Sequence, residues 1–268
     1  MDELAYQICE IAQRAGAKIK EIRRSCANDE IQIKDDGSPV TIADLSANKI
    51  IAEGLRLLEP QWPIVSEEGS EGGDARTSKY SFLVDPLDGT KEFIKGRDMY
   101  TVNIAIMELN KNLRWNPIFG VVHAPELCKT WIGGTSVPAI RQDADGIRKI
   151  SCGGNRLKPI IVGSMSHSSP LDRQFAEAIG DHTFLGVGSS IKICKVADGS
   201  ADMSPRFGTT SCWDTAAAHA ILNASGGQLL GPEGVELDYD IHGEILNPWF
   251  LATSGNLGLE QWKMYQEN

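Results

Sequence analysis

The sequence lacks a basic block, and its acidic residues outnumber its basic ones. It has 26 Lys and Arg against 36 Asp and Glu, which gives a formal net charge of −10. A cationic face for nucleic acid needs clustered Lys and Arg, so no nucleic-acid partner is expected. An acidic protein that handles an anionic substrate needs local cations, and bound metal ions are one way to supply them.

Long apolar runs and paired cysteines are also missing. No run approaches the ~18 apolar residues of a membrane span, so no integral membrane segment is expected. The six cysteines form no C-x-x-C pair and no cluster with zinc spacing, and the N-terminus lacks the apolar core of a signal peptide. These features predict a cytoplasmic protein, while peripheral association with the inner membrane and the oligomeric state stay open.

Apolar periodicity divides the 268 residues into an N-terminal half (1–145) and a C-terminal half (146–268). Helical spacing predicts helices over 2–25, 42–58, 170–179, 190–198 and 214–225. Apolar runs bounded by turn residues predict strands over 61–65, 80–84, 101–109, 118–124, 129–134, 160–163, 183–188 and 201–205. Residues 135–158 look irregular. An α+β half followed by an α/β half predicts a layered α/β architecture with the site in the cleft between them.

The segment FLVDPLDGTKEF (82–93) carries the strongest chemical signal. An apolar strand ends at Asp85, Pro86 interrupts its ladder, and Gly89 allows a sharp turn after Asp88. Such a turn can aim two carboxylates and the carbonyl of Leu87 into one small volume, and hard divalent cations prefer oxygen ligands of this kind. A plain turn or helix cap after a strand is the alternative for a bare D-x-x-D.

Three further acidic segments could join this site. Glu67 and Glu68 follow the short strand at 61–65, although adjacent acids are common on solvated surfaces. Asp214 stands at the start of an alanine-rich helix and Asp44 lies in the first turn of the helix at 42–58, so each is interpreted as an N-cap. A cap can still offer its second oxygen to a metal, and a helix N-terminus favours phosphate.

These segments, in this order, resemble the inositol monophosphatase superfamily of lithium-sensitive, magnesium-dependent phosphatases. The matching motifs are DGSPVTIAD (36–44), SEEG (66–69), DPLDGT (85–90) and WDTAAAHA (213–220). The resemblance covers about residues 4–253 and implies a layered α-β-α-β-α sandwich.

Within that superfamily the chain is more similar to the bacterial CysQ-type branch, the 3′(2′),5′-bisphosphate nucleotidases. The segments that indicate this branch are DPLDGTKEFI (85–94), YTVNIAI (100–106), GSSIK (188–192), SPRFG (204–208) and ILNP (245–248). The sequence departs from the branch at Met165, where an arginine is usual, and this bears on the substrate contacts.

The resemblance implies two or three Mg²⁺ ions per site. Glu68, Asp85 and the Leu87 carbonyl would hold one ion, and Asp85, Asp88 and Asp214 would hold a second. A phosphate monoester dianion repels nucleophiles, so dense positive charge at the phosphate suits this chemistry independently of the resemblance. Several carboxylates gathered without metal would repel one another, and some would stay protonated.

The resemblance also assigns catalytic and substrate contacts. Asp44 and Thr90 would orient the attacking water, and the backbone N–H groups of Gly89 and Thr90 would cradle the scissile phosphate. Four residues that hold the metal ions would also lie next to that phosphate: Glu68, Leu87, Asp88 and Asp214. The remaining contacts would be Ser164 and His167 to the base or ribose, and Ser189, Lys192 and Arg206 to the other phosphate. Without the resemblance, Lys192 and Arg206 would be ordinary surface charges and His167 a turn residue.

The leading hypothesis is hydrolysis of adenosine 3′,5′-bisphosphate to AMP and phosphate, with the 3′-phosphorylated sulfate donor as a second substrate. This activity would link the protein to sulfate assimilation. An inositol or sugar phosphatase with the same metals is the nearest alternative, and a non-catalytic nucleotide sensor is an alternative of another class. A sensor would have little use for the water-orienting pair of Asp44 and Thr90.

Overall fold

The computed structural model of the chain describes residues 3–25, 31–33, 39–70, 78–154, 156–166 and 169–265. The helices in these ranges are α1 (Glu3–Arg24), α2 (Ile42–Leu58), α3 (Thr90–Ile94), α4 (Pro170–Ala178), α5 (Ile191–Ala197), α6 (Cys212–Ala224) and α7 (Leu259–Met264). The strands are β1 (Ile31–Ile33), β2 (Pro39–Thr41), β3 (Ile64–Ser66), β4 (Tyr80–Asp88), β5 (Thr101–Leu109), β6 (Trp115–Ala124), β7 (Lys129–Gly134), β8 (Val137–Asp143), β9 (Gly146–Lys149), β10 (Ile160–Ser164), β11 (Thr183–Val187), β12 (Met203–Arg206), β13 (Gln228–Leu230) and β14 (Phe250–Thr253).

Two large sheets form the framework. The first has the order β3-β4-β5-β6-β7-β8-β9, and the second has the order β11-β10-β12-β14-β13. In the first sheet only β3 and β4 run parallel, because consecutive hairpins make the other neighbours antiparallel. β1 and β2 form a separate antiparallel pair.

Alternating side chains place each sheet between two helical layers. On β4, Phe82 and Val84 pack with α1 and α2, whereas Leu83 packs with α5 and α6 on the opposite face. The second sheet covers the other side of α5 and α6, and its outer face packs on α4 and α7 through Phe175 and Trp262. The layers therefore run α-β-α-β-α, which confirms the predicted fold class.

Helix α6 lies unusually close to the first sheet. A Cβ at Gly120 of β6 would lie 2.0 Å from the carbonyl oxygen of Ala217 in α6. The helix and the strand therefore meet backbone to backbone, and only glycine fits at this position of the strand. The alanine run of α6 serves the same close approach, and Asp214 lies in the first turn of this helix.

Residues 135–158 are more ordered than their composition predicted. The antiparallel hairpin of β8 and β9 occupies 137–149 and extends the first sheet. All four residues of β9 are exposed, so the strand lacks the alternation of apolar residues that would reveal it. The predicted boundary after residue 145 consequently falls inside a hairpin.

Most other elements were predicted closely. Helix α2 and strands β5 and β7 have the predicted bounds. The short elements α3, α7, β1, β2, β13 and β14 were not predicted. Among the described helices, none combines the length and apolar character needed to cross a bilayer.

Candidate active site

A bulge at the end of β4 brings two acidic residues to the same side of the sheet. Asp85 pairs with Asn103 of β5 and Asp88 pairs with Thr101, so β4 contains one extra residue between the two pairs. On a regular strand, side chains three residues apart point to opposite faces, and one extra residue reverses the second of them. The strand therefore does not stop at Asp85 as predicted but continues to Asp88, and Pro86 lies within the bulge.

A third carboxylate reaches this point from α6. Asp214 is the third residue of the helix and not its N-cap, which is Ser211, so the predicted cap was wrong. One oxygen of Asp214, Oδ2, accepts a hydrogen bond of 2.8 Å from the Ser211 backbone N–H. One oxygen from each of Asp85, Asp88 and Asp214 lies within 4.8 Å of the other two. An all-oxygen set at this spacing fits a hard divalent cation.

The electrostatics of the cluster are dominated by repulsion among its acids, which the charge of Lys192 opposes only in part at Asp214. Burial raises the pKa of Asp85 well above its ordinary range, and the charges of Glu67, Asp88 and Asp214 raise it further. Burial and then the charge of Asp88 raise the pKa of Asp214 to about 7. Divalent cations would remove both penalties, because they supply the missing positive charge.

Glu67, and not Glu68, is the glutamate that faces the cluster. Glu67 continues the pairing of β3 with a hydrogen bond of 3.1 Å from its N–H to the Val84 carbonyl. Its side chain lines the cleft, and its charge raises the pKa of Asp85 and Asp214. Both glutamates lie in a turn that closes with a hydrogen bond of 3.2 Å from the Gly69 N–H to the Ser66 carbonyl, and Glu68 is not among the residues that line the cleft. The metal-ligand role assigned to Glu68 from the sequence stays a prediction, and the geometry favours Glu67.

Asp44 is held at the start of α2 by a reciprocal cap. The N-cap of this helix is Thr41, whereas Asp44 itself was predicted to be the cap. The Oδ2 atom of Asp44 accepts hydrogen bonds from the Thr41 backbone N–H at 2.8 Å and from its hydroxyl at 2.6 Å. Burial raises the pKa of Asp44, and these hydrogen bonds oppose that shift.

The second oxygen of Asp44 contacts Thr90, as the sequence predicted for this pair. The Thr90 hydroxyl lies 3.1 Å from Asp44 Oδ1 and 3.2 Å from the carbonyl oxygen of Leu87. Because a hydroxyl has one proton, Thr90 can donate to either acceptor but not to both at once. Leu87 itself is buried, and Gly89 precedes Thr90 with a φ of +95°, a conformation that favours glycine.

The cluster opens into a cleft of about 270 Å³ between the two halves of the chain. Most of the residues predicted to contact a substrate line it. They are Asp88, Gly89, Thr90, Ser164, Ser189, Lys192, Arg206 and Asp214. His167 lies outside the described residues. Met165 is exposed beside Ser164.

Among the described residues, three cationic ones line this cleft: the exposed Lys91, and Lys192 and Arg206, which lie deeper. Burial lowers the pKa of Lys192, whose ammonium donates to the Ser189 carbonyl at 2.6 Å. Burial also lowers the pKa of Arg206, whose guanidinium donates to the Thr209 carbonyl at 3.1 Å. Both are therefore held by backbone oxygens in a desolvated site, where a positive charge attracts an anion more strongly than it would in water.

Two residues that contact the cluster were not predicted from the sequence. Ser190 follows Ser189 at the start of α5, and Asn103 lies on β5; both side chains are buried and both hydrogen bond to Asp88. Nothing in their local sequence indicates these contacts, since they depend on how the two halves pack. The caps Thr41 and Ser211, in contrast, were visible as Ser or Thr three residues before an acid.

Comparison with known proteins gives consistent matches. The model described as "Inositol monophosphatase family" matches residues 1–261. The chain is 41% identical to the 3′(2′),5′-bisphosphate nucleotidase CysQ of Salmonella typhimurium over 92% of this chain and 98% of the relative. It is 39% identical to the protein of the same name from Escherichia coli K12, with the same coverage. The crystal structure of CysQ from Bacteroides thetaiotaomicron superposes with a TM-score of 0.80 at 33% identity, over 94% of this chain and 97% of that one.

Proposed function

Because the chain belongs to the inositol monophosphatase family, we propose that it is a Mg²⁺-dependent 3′(2′),5′-bisphosphate nucleotidase. Its substrate would be adenosine 3′,5′-bisphosphate, which it would hydrolyse to AMP and phosphate. The 3′-phosphate of the activated sulfate donor would be a second substrate, and the activity would serve sulfate assimilation. The relatives named above carry this activity in their names.

One observation carries the proposal: a single cleft is lined both by carboxylates of the cluster and by the fixed cations Lys192 and Arg206. Asp88 and Asp214 line it together with these cations, and one oxygen of the buried Asp85 lies within 4.8 Å of an oxygen of each of these two acids. A substrate with two phosphates suits this combination, since one phosphate needs metal ions beside the acids and the other needs fixed cations. A substrate with one phosphate would leave one of these two sets of groups without an anion.

The acidic residues would hold two Mg²⁺ ions. Asp85, Asp88 and Asp214 suit one of them, and Asp85 with the Leu87 carbonyl and Glu67 suits the other. When bound, the ions would supply positive charge to the phosphate and lower the pKa of bound water. Mg²⁺ keeps several water ligands of its own, so a few carboxylates are enough. Li⁺ is expected to inhibit by taking one of these positions.

Thr90 and Asp44 handle the proton of the attacking water. As water attacks the phosphorus, its proton passes to Thr90 Oγ1, and the hydroxyl proton of Thr90 passes to Asp44 Oδ1. The bond from phosphorus to the ribose 3′ oxygen breaks, and that oxygen takes a proton from solvent. The raised pKa of Asp44 makes it a stronger base than an ordinary aspartate.

A substrate panel tests the proposal. Phosphate release is measured from adenosine 3′,5′-bisphosphate, inositol 1-phosphate and AMP, each across a Mg²⁺ titration. We expect Mg²⁺-dependent release from the bisphosphate, with kcat/KM at least about 100-fold above that for the inositol ester, a preference of about 2.8 kcal/mol. Turnover of the inositol ester alone would replace the proposal with the inositol phosphatase alternative.

Two variants check that the turnover comes from this site. Asp85→Asn should abolish Mg²⁺-dependent turnover while its circular dichroism spectrum stays that of the native protein. Asp181→Asn is the matched control, because Asp181 is exposed and pairs with Lys158 away from the cleft. Near-native activity in Asp85→Asn would contradict the metal assignment.

A further inference from the structure

Four donors meet one oxygen of Asp88. Its Oδ2 atom lies 2.6 Å from the Ser190 backbone nitrogen and 2.6 Å from the Ser190 hydroxyl. Asn103 Nδ2 at 3.3 Å and Thr101 Oγ1 at 3.4 Å approach the same oxygen. Hydrogen bonds to an ionised acceptor are short and strong, and the two from Ser190 fit that description. The convergence holds the Asp88 carboxylate in one orientation.

Ser190 also connects Asp88 to the segment of Asp214. The Ser190 hydroxyl lies 2.8 Å from the Asp214 carbonyl oxygen, and Asn103 Nδ2 donates to that hydroxyl at 2.7 Å. Ser190 is 3% exposed and Asn103 is 1% exposed. The hydroxyl has one proton and donates to one of these two acceptors at a time. It nevertheless lies within hydrogen-bond distance of two of the three cluster residues, which come from different halves of the chain.

We propose that Ser190, oriented by Asn103, is a positioning residue that fixes Asp88 against Asp214 and thereby sets the affinity of the site for Mg²⁺. This inference rests on the proposed function, since it concerns the same metal site. A carboxylate on a free rotor would have to be ordered when the cation binds, and Ser190 orders it beforehand. Hydrogen-bond partners of metal ligands typically change metal affinity by about 10–100-fold.

Calorimetric titration of the full chain with Mg²⁺ tests the inference directly, without turnover. Ser190→Ala removes the hydroxyl but keeps the backbone N–H bond to Asp88, so the native fold should be retained. We expect Mg²⁺ to bind this variant about 10–100-fold more weakly than the wild type. Ser190→Thr returns a hydroxyl and should recover most of the affinity.

A matched control separates positioning from general loosening. Ser81 of β4 is a buried serine whose hydroxyl donates to the Pro63 carbonyl at 3.0 Å, away from the cleft. Ser81→Ala should lose stability without a change in Mg²⁺ affinity. In steady-state assays of Ser190→Ala, the Mg²⁺ concentration for half-maximal rate should rise, while KM for the nucleotide at saturating Mg²⁺ should stay within about threefold of the wild type.

The outcomes distinguish this inference from the proposed function. Wild-type Mg²⁺ affinity in a folded Ser190→Ala overturns the positioning role and leaves the proposed function intact. An equal loss of affinity in Ser81→Ala also overturns it. Absence of Mg²⁺ binding to the wild type would overturn both. If Ser190→Ala does not fold, Ser190→Cys decides, because it keeps the backbone N–H bond to Asp88 and replaces the hydroxyl with a weak donor; wild-type Mg²⁺ affinity in that variant overturns the positioning role.

Discussion

Replacing Asp44 with asparagine tests the water-orienting pair at one atom. The change keeps the size and shape of the side chain and removes its charge and basicity. An asparagine oxygen can still accept from the backbone and hydroxyl of Thr41, the contacts that cap α2. Its amide then faces Thr90 and donates where the carboxylate accepted, so the Thr90 proton has no base to receive it.

The hydrogen bonds of Asp44 give the expected magnitudes. Bonds to an ionised acceptor contribute about 1.5–3 kcal/mol and neutral bonds about 0.5–1.5 kcal/mol. Because Asp44 is buried, part of the lost stabilisation is offset by removing a desolvated charge. We expect the free energy of unfolding to fall by about 1–2 kcal/mol, or roughly 2–8 °C in Tm for a chain of this size. Loss of a general base lowers kcat by about 10²–10⁴-fold.

The assay compares kcat at saturating Mg²⁺ and nucleotide with Tm in the same buffer. Asp202→Asn is the matched control, because Asp202 is also buried and its carboxylate accepts a hydrogen bond of 2.7 Å from the Ile160 N–H, outside the cleft lining. The control should lose similar stability with a much smaller change in kcat. A kcat for Asp44→Asn within about tenfold of the wild type would refute the proton-acceptor role and leave Asp44 as a cap only.

Three further predictions concern the acids and the cations of the cleft. Glu67→Gln should raise the Mg²⁺ concentration for half-maximal rate about tenfold or more. In Glu68→Gln this concentration should stay near that of the wild type. A larger increase in Glu68→Gln than in Glu67→Gln would restore Glu68 as the ligand. In metal-free buffer, Tm should rise as pH falls from about 8 to 6, because Asp214, with its pKa raised to about 7, binds a proton in the folded state that the unfolded chain releases. That stabilisation is complete below the ordinary carboxyl range and is lost as pH rises through about 7. Asp214→Asn should flatten the dependence of Tm on pH. An unchanged slope of Tm against pH in this variant would contradict the assignment of the proton to Asp214. Arg206→Lys keeps the charge but loses the bidentate fork, so KM for the bisphosphate should rise about tenfold. An equal rise in KM for a single-phosphate substrate would contradict a contact between Arg206 and the second phosphate.

The acidic residues of the site could be predicted from the sequence because short local patterns position them. Asp85 and Asp88 follow an apolar strand and are separated by Pro86, and Asp44 lies three residues after a threonine that caps its helix. The proline predicted a break in the ladder, and the structure has a bulge instead, since one extra residue reverses a side chain without ending the strand.

Other features depend on distant parts of the chain and could not be read locally. Which of two adjacent glutamates faces the cluster depends on the register of β3 against β4, and no periodicity fixes that register over three residues. Ser190 contacts Asp88 from 102 positions away, so only the packing of the two halves reveals it. The hairpin of β8 and β9 escaped prediction because an exposed edge strand shows no apolar alternation.

The contact between β6 and α6 makes the metal site depend on a residue that lies outside the cleft. Gly120 meets no substrate and carries no chemistry, yet any side chain there would drive the strand and helix apart at Ala217. Displacing α6 would also displace the first turn that carries Asp214. A survey that ranked harmful variants by their distance from the phosphate would pass over Gly120, although the alignment of the metal ligands depends on its missing side chain.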